Sequence, residues 1–360
     1  MSDTNYYGLI LAGGRGTRFW PRSRKRHAKQ VLAVGLEERT LIQQTVDRLR
    51  PIIPPERIWI LTNGFVRDEI VRQLPDLPPA QIIAEPAQRN TAPAIGLAAH
   101  ILSGIDPNAV FGVFPSDHVI GNAAHYVELV ETAFQSAQKG NIAVLGVQPR
   151  WAETGYGYIE LPADEPRVPT AVNRVVKFRE KPKKPQAEVY LAAGNYYWNA
   201  GMFFWQAKTV LDALRAYLPK TAALLTSLPP VSDPAFNTQL KQVFPQCEDI
   251  SIDFAVLEHA TNVTGVPCDD FGWNDVGSWE AVYELLPRDE NANSARSEII
   301  VRSATGNYVD CGGKIVALIG VENLIVVDTP DALLVADRSR AQEVGDIVKM
   351  LEKAGRDELL

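Results

Sequence analysis

A glycine-rich turn follows the first apolar run of the sequence, and its residue types suit phosphate binding. Glycine permits positive φ angles, so backbone N–H groups can approach phosphate oxygens closely. No Gly-Lys-Ser/Thr follows at Walker spacing, and Phe19 stands where the dinucleotide fingerprint needs glycine. A phosphate-binding loop and a tight structural turn therefore both remain open. The segment comprises Leu11, Ala12, Gly13, Gly14, Arg15, Gly16, Thr17 and Arg18.

Charge is distributed unevenly around this turn. The net charge of −7 argues against general affinity for nucleic acid. A compact polyanion such as a triphosphate is the ligand that one basic loop in an acidic protein favours, although basic runs are often only solvated. No acidic residue lies between Asp3 and Glu37, and the same window holds Arg15, Arg18, Arg22, Arg24, Lys25, Arg26 and Lys29.

The first 150 residues alternate short apolar runs with segments of helical spacing. This alternation predicts right-handed βαβ units, and hence a Rossmann-like, mainly parallel twisted sheet with helices on both faces. Ligands of such sheets bind beyond the carboxyl ends of the strands, where GGRGTR, EPAQRNT and PSDH stand. The predicted strands are Tyr7–Ala12, Ile58–Thr62, Gln81–Ala84, Val110–Phe114 and Ile142–Val147, and the predicted helices are Leu41–Leu49, Phe65–Leu74, Ala92–Leu102 and Tyr126–Ala137.

The pattern changes near Trp151. Three segments, GYGYIEL, RVVKFREKP and AGMFFW, predict antiparallel ribbons laid over the sheet, and SIDFAVLEHA predicts a helix with Ser251 as its N-cap. The polar segment PRDENANSARS predicts a boundary. We therefore expect one region over residues 1–287 and a small β-rich segment over residues 298–360 that ends in a helix over Ala341–Ala354.

Composition is typical of a globular protein, with 46% hydrophobic and 22% charged residues. No apolar run approaches the roughly 20 residues of a membrane span, and no basic region precedes the first apolar stretch. The three cysteines, Cys247, Cys268 and Cys311, form no CxxC pair. We expect a cytoplasmic protein without a disulfide framework and without nucleic-acid or membrane partners.

The segment GGRGTRFWPRSRKRHAKQ resembles the opening motif of the sugar nucleotidyltransferases, in particular the mannose-1-phosphate guanylyltransferases. Ala28 replaces the usual proline before Lys29, and Arg179 replaces the more common valine of FREKP. The resemblance implies the GT-A-like nucleotidyltransferase fold with a short β-helical tail, and the conversion of GTP and mannose 1-phosphate to GDP-mannose and diphosphate. It continues in order through EPAQRNTAPAI, PSDHVI, GYGYIE, FREKP, YYWNAGMFFW, SIDFAVLE and GWNDVGSW.

The same resemblance implies roles for five charged residues. Arg15 and the loop amides would hold the triphosphate, Lys29 would neutralise the α-phosphate, and Lys181 would hold the sugar phosphate. Asp117 and Asp275 would bind Mg²⁺, which prefers carboxylate oxygens. Without the resemblance, a helix cap and a turn are the better interpretations of the two aspartates, and solvated surface positions those of the lysines.

Further candidates surround the two substrates. His118 is expected to be packed, because an ionised phosphate nucleophile needs no strong base. The nucleotide side would add Glu85, Asn90, Thr91, Ala92, Ser116 and Asp117 to the glycine loop and Lys29. The sugar-phosphate side would comprise Gly157, Glu180, Lys181, Asn199, Gly201 and Asp275.

Three alternatives compete with this hypothesis. A related enzyme could take another sugar 1-phosphate or nucleotide, and a non-catalytic sensor could share the fold. An NAD-linked oxidoreductase would fit the strand–helix alternation but lacks the glycine fingerprint. Some relatives continue into an isomerase domain; 360 residues leave no length for it, and no isomerase activity is expected. The tail would pack on the catalytic region or support a homodimer.

Overall fold

The structure is a computed structural model that describes residues 5–34, 38–165, 167–168 and 170–360. Asp3 and Glu37, which bound the basic window, lie outside the described residues. The strands are β1 Tyr6–Ala12, β2 Ile58–Asn63, β3 Ile82–Glu85, β4 Val110–Pro115, β5 Ile142–Val147, β6 Tyr158–Glu160, β7 Asn173–Arg174, β8 Lys177–Arg179, β9 Tyr196–Gln206, β10 Val263–Cys268, β11 Ser294–Ala295, β12 Ile299–Arg302, β13 Tyr308–Asp310, β14 Val316–Ile319, β15 Leu324–Asp328 and β16 Leu333–Asp337. The helices are α1 Leu41–Leu49, α2 Arg67–Gln73, α3 Thr91–Ile105, α4 Ala123–Ala137, α5 Lys184–Ala193, α6 Ala207–Tyr217, α7 Pro219–Thr226, α8 Phe236–Val243, α9 Trp279–Leu285 and α10 Val344–Lys353.

Within the described residues, ten strands form one mixed sheet. Its main path runs β3-β2-β1-β4-β9-β5-β10-β7, and β6 and β8 extend it beside β9. Strands β1 to β4 are parallel neighbours, in a register that aligns Gly8 with Ile58 and Gly112. The five parallel strands predicted from the sequence form within one residue of their expected bounds. The Rossmann-like sheet is therefore confirmed.

Helices cover both faces because successive strand residues point to opposite sides of the sheet. Leu9 packs on the face covered by α3, α6 and α7. Ile10 packs on the face covered by α1, α2 and α4. Both side chains are fully buried, as expected for a strand that reads as a continuous apolar run. No helix within the described residues is long and apolar enough to cross a membrane.

Strand β9 departs from the sequence prediction. The sequence places it in a ribbon laid over the sheet, but it lies inside the sheet, antiparallel to both β4 and β5. Trp198 and Phe204 of this strand are fully buried. The apolar run YYWNAGMFFW belongs to a central strand because both faces of such a strand are covered.

The helix in the segment SIDFAVLEHA is also shorter than predicted. It forms one π-helical turn, Asp253–Leu257, closed by the N–H of Glu258 donating to the Asp253 carbonyl at 3.1 Å. Ser251 does act near the N-terminus, since its Oγ accepts the N–H of Phe254 at 3.4 Å. The N–H of Ile252 donates to Thr91 Oγ1 at 2.9 Å, which ties the segment to α3.

The C-terminal segment is built from short parallel strands stacked in successive turns. Strands β11, β13 and β15 stack in one sheet that β16 closes, and β12 pairs with β14 in a second. Asn307 joins successive turns, because its Nδ2 donates to Asn293 Oδ1 at 2.9 Å and its Oδ1 accepts the N–H of Leu324 at 2.9 Å. Pairing begins at Ser294, inside the polar stretch predicted to be a boundary. The predicted β-helix-like tail is confirmed.

A shared apolar cluster fixes this segment to the large sheet. The cluster joins Phe19 and Trp20, just after the glycine loop, to Trp279 of α9 and to Ile325 of β15. Trp279 Nε1 donates to the Trp20 carbonyl at 3.0 Å. The packing of the tail therefore determines the position of the segment that follows the phosphate-binding turn.

Truncating Ile325 to alanine tests this cluster. The side chain is fully buried, so Ile325→Ala should lower the free energy of unfolding by about 2–5 kcal/mol through lost burial and a cavity. Urea denaturation followed by tryptophan fluorescence measures the change. Ile300→Ala is the control, because Ile300 is 59% exposed and should change stability far less. Equal losses in the two variants would contradict the proposed packing.

Candidate functional site

Lys29 lies at the carboxyl edge of the sheet, between the two predicted metal ligands. It is only 5% exposed, and its Nζ donates to Asp117 Oδ2 at 2.9 Å and to the Asp275 carbonyl at 2.8 Å. A buried ammonium group requires such partners. One cation therefore brings together two segments that are distant in sequence. Desolvation is the largest single influence on Asp117 and opposes its ionisation, but the Lys29 charge and hydrogen bond, together with His118 and a backbone hydrogen bond, hold the pKa of that carboxyl below its usual value.

Neither aspartate serves the structural role that the sequence left open. The cap of α4 is Asn122, whose Oδ1 accepts the N–H of His125 at 3.2 Å. The turn before α9 is held by Asn274, whose Oδ1 accepts the N–H of Val276 at 2.7 Å. An antiparallel bridge between Val119 and Asn274 holds the two aspartate-bearing segments together. Both carboxylates thus face the site.

His118 is packed against Trp273. Trp273 Nε1 donates to His118 Nδ1 at 3.2 Å, and the two rings lie nearly perpendicular at 5.6 Å. Burial lowers the pKa of His118 to about 4, so the ring is neutral near pH 7. This agrees with the expectation that His118 is packed.

The glycine loop leaves space for Lys29. Gly16 has φ 61°, and a Cβ there would lie 2.5 Å from Lys29 Cβ. At this position the positive φ and the close approach both require glycine. A Cβ on Gly13 would lie 3.2 Å from Glu85 Oε2, whereas Gly14 faces open space. Ser116 is buried beside the loop, and its N–H donates to the Leu11 carbonyl at 3.2 Å.

A cavity of about 630 Å³ opens on one side of the loop. Its lining includes Arg15, Asn63, Phe65, Glu85 and Gln88. Residues of α8 and of the basic segment complete it. Burial raises the pKa of Glu85 to about 8, so this carboxyl is largely protonated at neutral pH in the free protein. The cavity thus joins an aromatic side chain, a buried acid and one of the loop arginines.

Of the predicted nucleotide-side residues, Arg15 and Glu85 line that cavity, whereas Asn90, Thr91 and Ala92 do not. Asn90 has φ 63°, and its Oδ1 accepts the N–H of Thr91 at 3.0 Å. The fully buried Ala92 donates its N–H to the Ile250 carbonyl at 3.1 Å. These contacts fix the start of α3 against the π-helical turn, and a nucleotide-binding role for Asn90, Thr91 and Ala92 stays a prediction.

A second cavity, of about 740 Å³, opens beside Asp275. Its lining includes Arg18, Tyr156, Lys181, Trp273 and Asp275. The Tyr156 hydroxyl donates to Asp275 Oδ1 at 2.8 Å, and its carbonyl accepts the N–H of Lys181 at 3.2 Å. Tyr156 was not selected from the sequence, although it stands in the GYGYIE motif.

The predicted sugar-side residues converge next to Tyr156. A Cβ on Gly157 would lie 2.4 Å from Glu180 Oε2, so glycine makes room for that carboxylate. Lys181 Nζ lies 2.8 Å from Glu180 Oε1, and the backbone at Lys181 has φ 45°. The N–H of Asn199 donates to the Gly157 carbonyl at 2.8 Å, and Asn199 Oδ1 accepts the N–H of Gly201 at 3.0 Å.

Asp253 is a second residue that the sequence analysis missed. Its Oδ1 accepts a hydrogen bond from Asn199 Nδ2 at 3.0 Å. Burial, and then the neighbouring Glu180 carboxylate, raise the pKa of Asp253 to about 7. Asp253 stands in the motif SIDFAVLE, so the motif could have drawn attention to it. Only the folded chain shows that this acid orients Asn199.

The basic window mostly contacts the C-terminal segment. Five of its seven cations, as counted from the sequence, have side-chain partners there in the described residues. Side chains of the tail therefore contact most of the cations that the sequence had suggested would bind a polyanion. Arg15 pairs with Glu352, Arg18 with Gln342, Arg22 with Asp310, Arg24 with Asp331 and Lys25 with Asp357.

The site suits a divalent cation that is held partly by substrate. The described residues contain no group of three or more His, Cys, Asp or Glu side chains that could hold a metal. Mg²⁺ commonly binds one or two carboxylates together with phosphate oxygens and water. Asp275 Oδ2 accepts no hydrogen bond within the described part of the chain, and Asp117 lies across Lys29 from it. The two acids fit that kind of site.

Comparison with known proteins identifies the family of the chain. The sequence pattern described as Nucleotidyl transferase matches residues 7–292, and that described as MannoseP isomerase/GMP-like beta-helix domain matches residues 298–351. The chain belongs to the nucleotidyltransferase family. This confirms the resemblance drawn from the glycine loop and the motifs that follow it.

Individual members of the family match over most of the chain. Alginate biosynthesis protein AlgA of Pseudomonas aeruginosa is 36% identical over 97% of this chain and 73% of its own length. Mannose-1-phosphate guanylyltransferase of Klebsiella pneumoniae is 36% identical over 97% of this chain and 74% of its own length. A crystal structure named as mannose-1-phosphate geranyltransferase from Thermus thermophilus covers 97% of this chain and 100% of its own, with TM-score 0.85 and 31% identity. The similarity to that structure extends through the tail.

Replacing Tyr156 with phenylalanine tests its support of Asp275. Loss of the hydroxyl should weaken the affinity for Mn²⁺ in the presence of nucleotide by about tenfold, because groups that orient a metal ligand typically have effects of that size. Free Mn²⁺ measured by electron paramagnetic resonance gives the affinity. Tyr158→Phe is the matched control, since the Tyr158 hydroxyl donates to the Glu153 carbonyl at 2.8 Å, away from Asp275. Unchanged Mn²⁺ affinity in Tyr156→Phe would refute this role.

Proposed function

We propose that this nucleotidyltransferase is a mannose-1-phosphate guanylyltransferase, which converts GTP and α-D-mannose 1-phosphate to GDP-mannose and diphosphate. The observation that carries the proposal is the buried Lys29, which donates to Asp117 and to the Asp275 carbonyl. Its neighbour Ala28 lines one cavity, and Asp275 lines the other. Two cavities next to one cationic centre suit a reaction between two phosphate-bearing substrates. The relatives named above support mannose 1-phosphate as the acceptor.

Charge repulsion is the main barrier in this chemistry. Two unit charges 4 Å apart repel by about 4 kcal/mol at an effective dielectric constant of 20. In the proposed step, an oxygen of the sugar phosphate attacks the α-phosphorus in line, and the bond from that phosphorus to the β-phosphate oxygen breaks. The nucleophile is already ionised, so no side chain must remove a proton. Positioning and cationic charge therefore supply most of the catalysis.

The chain's own residues have distinct parts in this step. Arg15 and the loop amides hold the β- and γ-phosphates and stabilise the departing diphosphate. Lys29 faces the α-phosphate, and Lys181 holds the phosphate of the sugar. Asp117 and Asp275 would hold Mg²⁺, which supplies charge neutralisation and a template for the two phosphates when bound. Asn199, oriented by Asp253, and Glu180 are placed to bind sugar hydroxyls.

The 630 Å³ cavity is proposed to bind guanine. Guanine presents adjacent N–H donors on its Watson–Crick edge, and an ionised carboxylate can accept both. Glu85 lies in this cavity, and Phe65, 66% exposed, offers an aromatic surface to the base. Adenine lacks that pair of donors, so a buried carboxylate at this position favours GTP over ATP.

We also infer a cytoplasmic location. All three cysteines are unpaired and buried in the described structure. Unpaired thiols are usual where the surroundings are reducing. A homodimer stays a prediction.

A substrate grid tests the reaction. Diphosphate release should be fastest with mannose 1-phosphate and GTP when mannose and glucose 1-phosphates are crossed with GTP, ATP, UTP and dTTP in Mg²⁺. Asp275→Asn should lower kcat by at least about 100-fold, because it removes a charge that holds the cation. Asp76→Asn is the control, because Asp76 lies far from the site and pairs with Arg50. Preference for another substrate pair would refute the substrate assignment, and inactivity across the grid would favour a sensor.

Glu85 provides a pH-dependent test of guanine recognition. Its pKa of about 8 means that free protein must lose a proton before the carboxylate accepts the guanine donors. Affinity for GTP should therefore rise with pH toward 8, and proton release should accompany binding below that pH. Calorimetry in buffers of different ionisation enthalpy measures both.

The corresponding variant is Glu85→Gln, in which the amide cannot accept both donors. It should weaken GTP binding by about tenfold and abolish the pH dependence, since hydrogen bonds to charged groups contribute about 1.5–3 kcal/mol. Glu188→Gln, an exposed change on α5, serves as the control. A pH dependence retained in Glu85→Gln would exclude Glu85 as its source.

A further inference from the structure

Arg18 differs from the other basic residues that reach the C-terminal segment. Its Nη1 donates to the side-chain oxygen of Gln342 at 2.7 Å. Arg15, Arg22 and Lys25, by contrast, each contact a carboxylate in that segment. Gln342 is uncharged, so it orients the Arg18 guanidinium without cancelling its charge. Within the described residues, this arginine is held by the tail and forms no salt bridge with a carboxylate.

Arg18 also lies at the sugar-phosphate cavity. It lines the 740 Å³ cavity together with Lys181 and Asp275. The position of a Cβ on Gly277 would be 3.5 Å from Arg18 Nη1 and 3.3 Å from Asp275 Oδ2. Arg18 and the carboxylate of Asp275 therefore face each other across the space that this glycine leaves open. The Arg18 guanidinium is therefore within reach of the region where the sugar phosphate must meet the nucleotide.

The element that carries Gln342 is firmly anchored. Gln342 belongs to the 3₁₀ helix Arg338–Glu343, which immediately precedes α10. Arg338 donates from Nε and Nη2 to both carboxylate oxygens of Glu280, at 2.8 and 2.9 Å. Glu280 is in the first turn of α9, directly after the segment that bears Asp275. A bidentate arginine–carboxylate contact fixes geometry as well as distance.

We propose that Gln342 is a positioning residue for the reaction. It holds Arg18 at the cavity so that the guanidinium binds the phosphate of the sugar 1-phosphate. The C-terminal segment thereby completes the acceptor site with a residue that touches no substrate itself. This inference rests on the proposed function, because it assigns the 740 Å³ cavity to the sugar 1-phosphate.

Charge substitution at position 342 separates this role from a purely structural one. Gln342→Glu should preserve or strengthen the contact with Arg18, because an ion pair replaces a neutral hydrogen bond. It should also cancel the charge that the sugar phosphate needs. The KM for mannose 1-phosphate should rise about tenfold, the KM for GTP should change by less than threefold, and Tm should stay equal or increase. A purely structural role of Gln342 instead predicts that both KM values stay unchanged or fall.

Two further variants complete the experiment. Gln342→Met keeps the length of the side chain but removes its acceptor oxygen, and should raise the KM for mannose 1-phosphate about threefold. Gln135→Glu adds the same charge at an exposed position near the C-terminus of α4, away from the carboxyl edge of the sheet, and is the control. The KM for mannose 1-phosphate should increase less steeply with salt in Gln342→Glu than in wild type, since screening acts on the free charge of Arg18.

The outcomes distinguish this inference from the proposed function. The inference would be overturned if the KM of Gln342→Glu for mannose 1-phosphate equalled that of wild type. It would also be overturned if the KM for both substrates rose equally. If wild-type protein is inactive across the substrate grid, the proposed function fails. Calorimetric titration with mannose 1-phosphate then decides the inference alone: weaker binding by Gln342→Glu than by wild type supports it, and equal binding overturns it.

Discussion

The buried ammonium of Lys29 is the constraint on which the rest of the site depends. A charge in that position is stable only with oxygen partners, and the chain supplies them from Asp117 and from the carbonyl of Asp275. Gly16 must lack a side chain to let Lys29 enter. The glycine loop, the end of β4 and the segment before α9 are therefore held together by one cation, at the edge where an α/β sheet binds its ligands.

The acceptor side depends on a second set of contacts, centred on two consecutive residues. Tyr156 supports Asp275 with its hydroxyl and Lys181 with its carbonyl, while Gly157 admits Glu180 and binds the backbone of Asn199. The antiparallel strand β9 is essential here, since it carries Asn199 into the sheet beside β5. A purely parallel sheet would have left that amide on a surface ribbon, away from the phosphates.

The sequence predicted the elements better than their contacts. Apolar periodicity located β5 with its observed bounds, Ile142–Val147, because a buried parallel strand needs a continuous apolar run. It could not place β9, since such a run does not reveal its neighbours. The identities of Lys29, Asp117 and Asp275 were available from motifs, but their convergence was not, because spacing holds no information on long-range pairing. Tyr156 and Asp253 were missed because each acts through another side chain.

The C-terminal segment shows why charge in sequence is an ambiguous signal. The same cluster of cations could serve phosphate or acidic side chains, and in the fold five of the seven contact side chains of the tail. The Arg15–Glu352 pair is partly exposed, at 38% for each side chain, and such pairs contribute only about 0–1 kcal/mol. A triphosphate carries several charges, so it can displace Glu352 at little cost. Gln342 needs no displacement, because an amide leaves the charge of Arg18 available. The choice between carboxylate and amide in the tail thus decides which arginines are neutralised before substrate arrives.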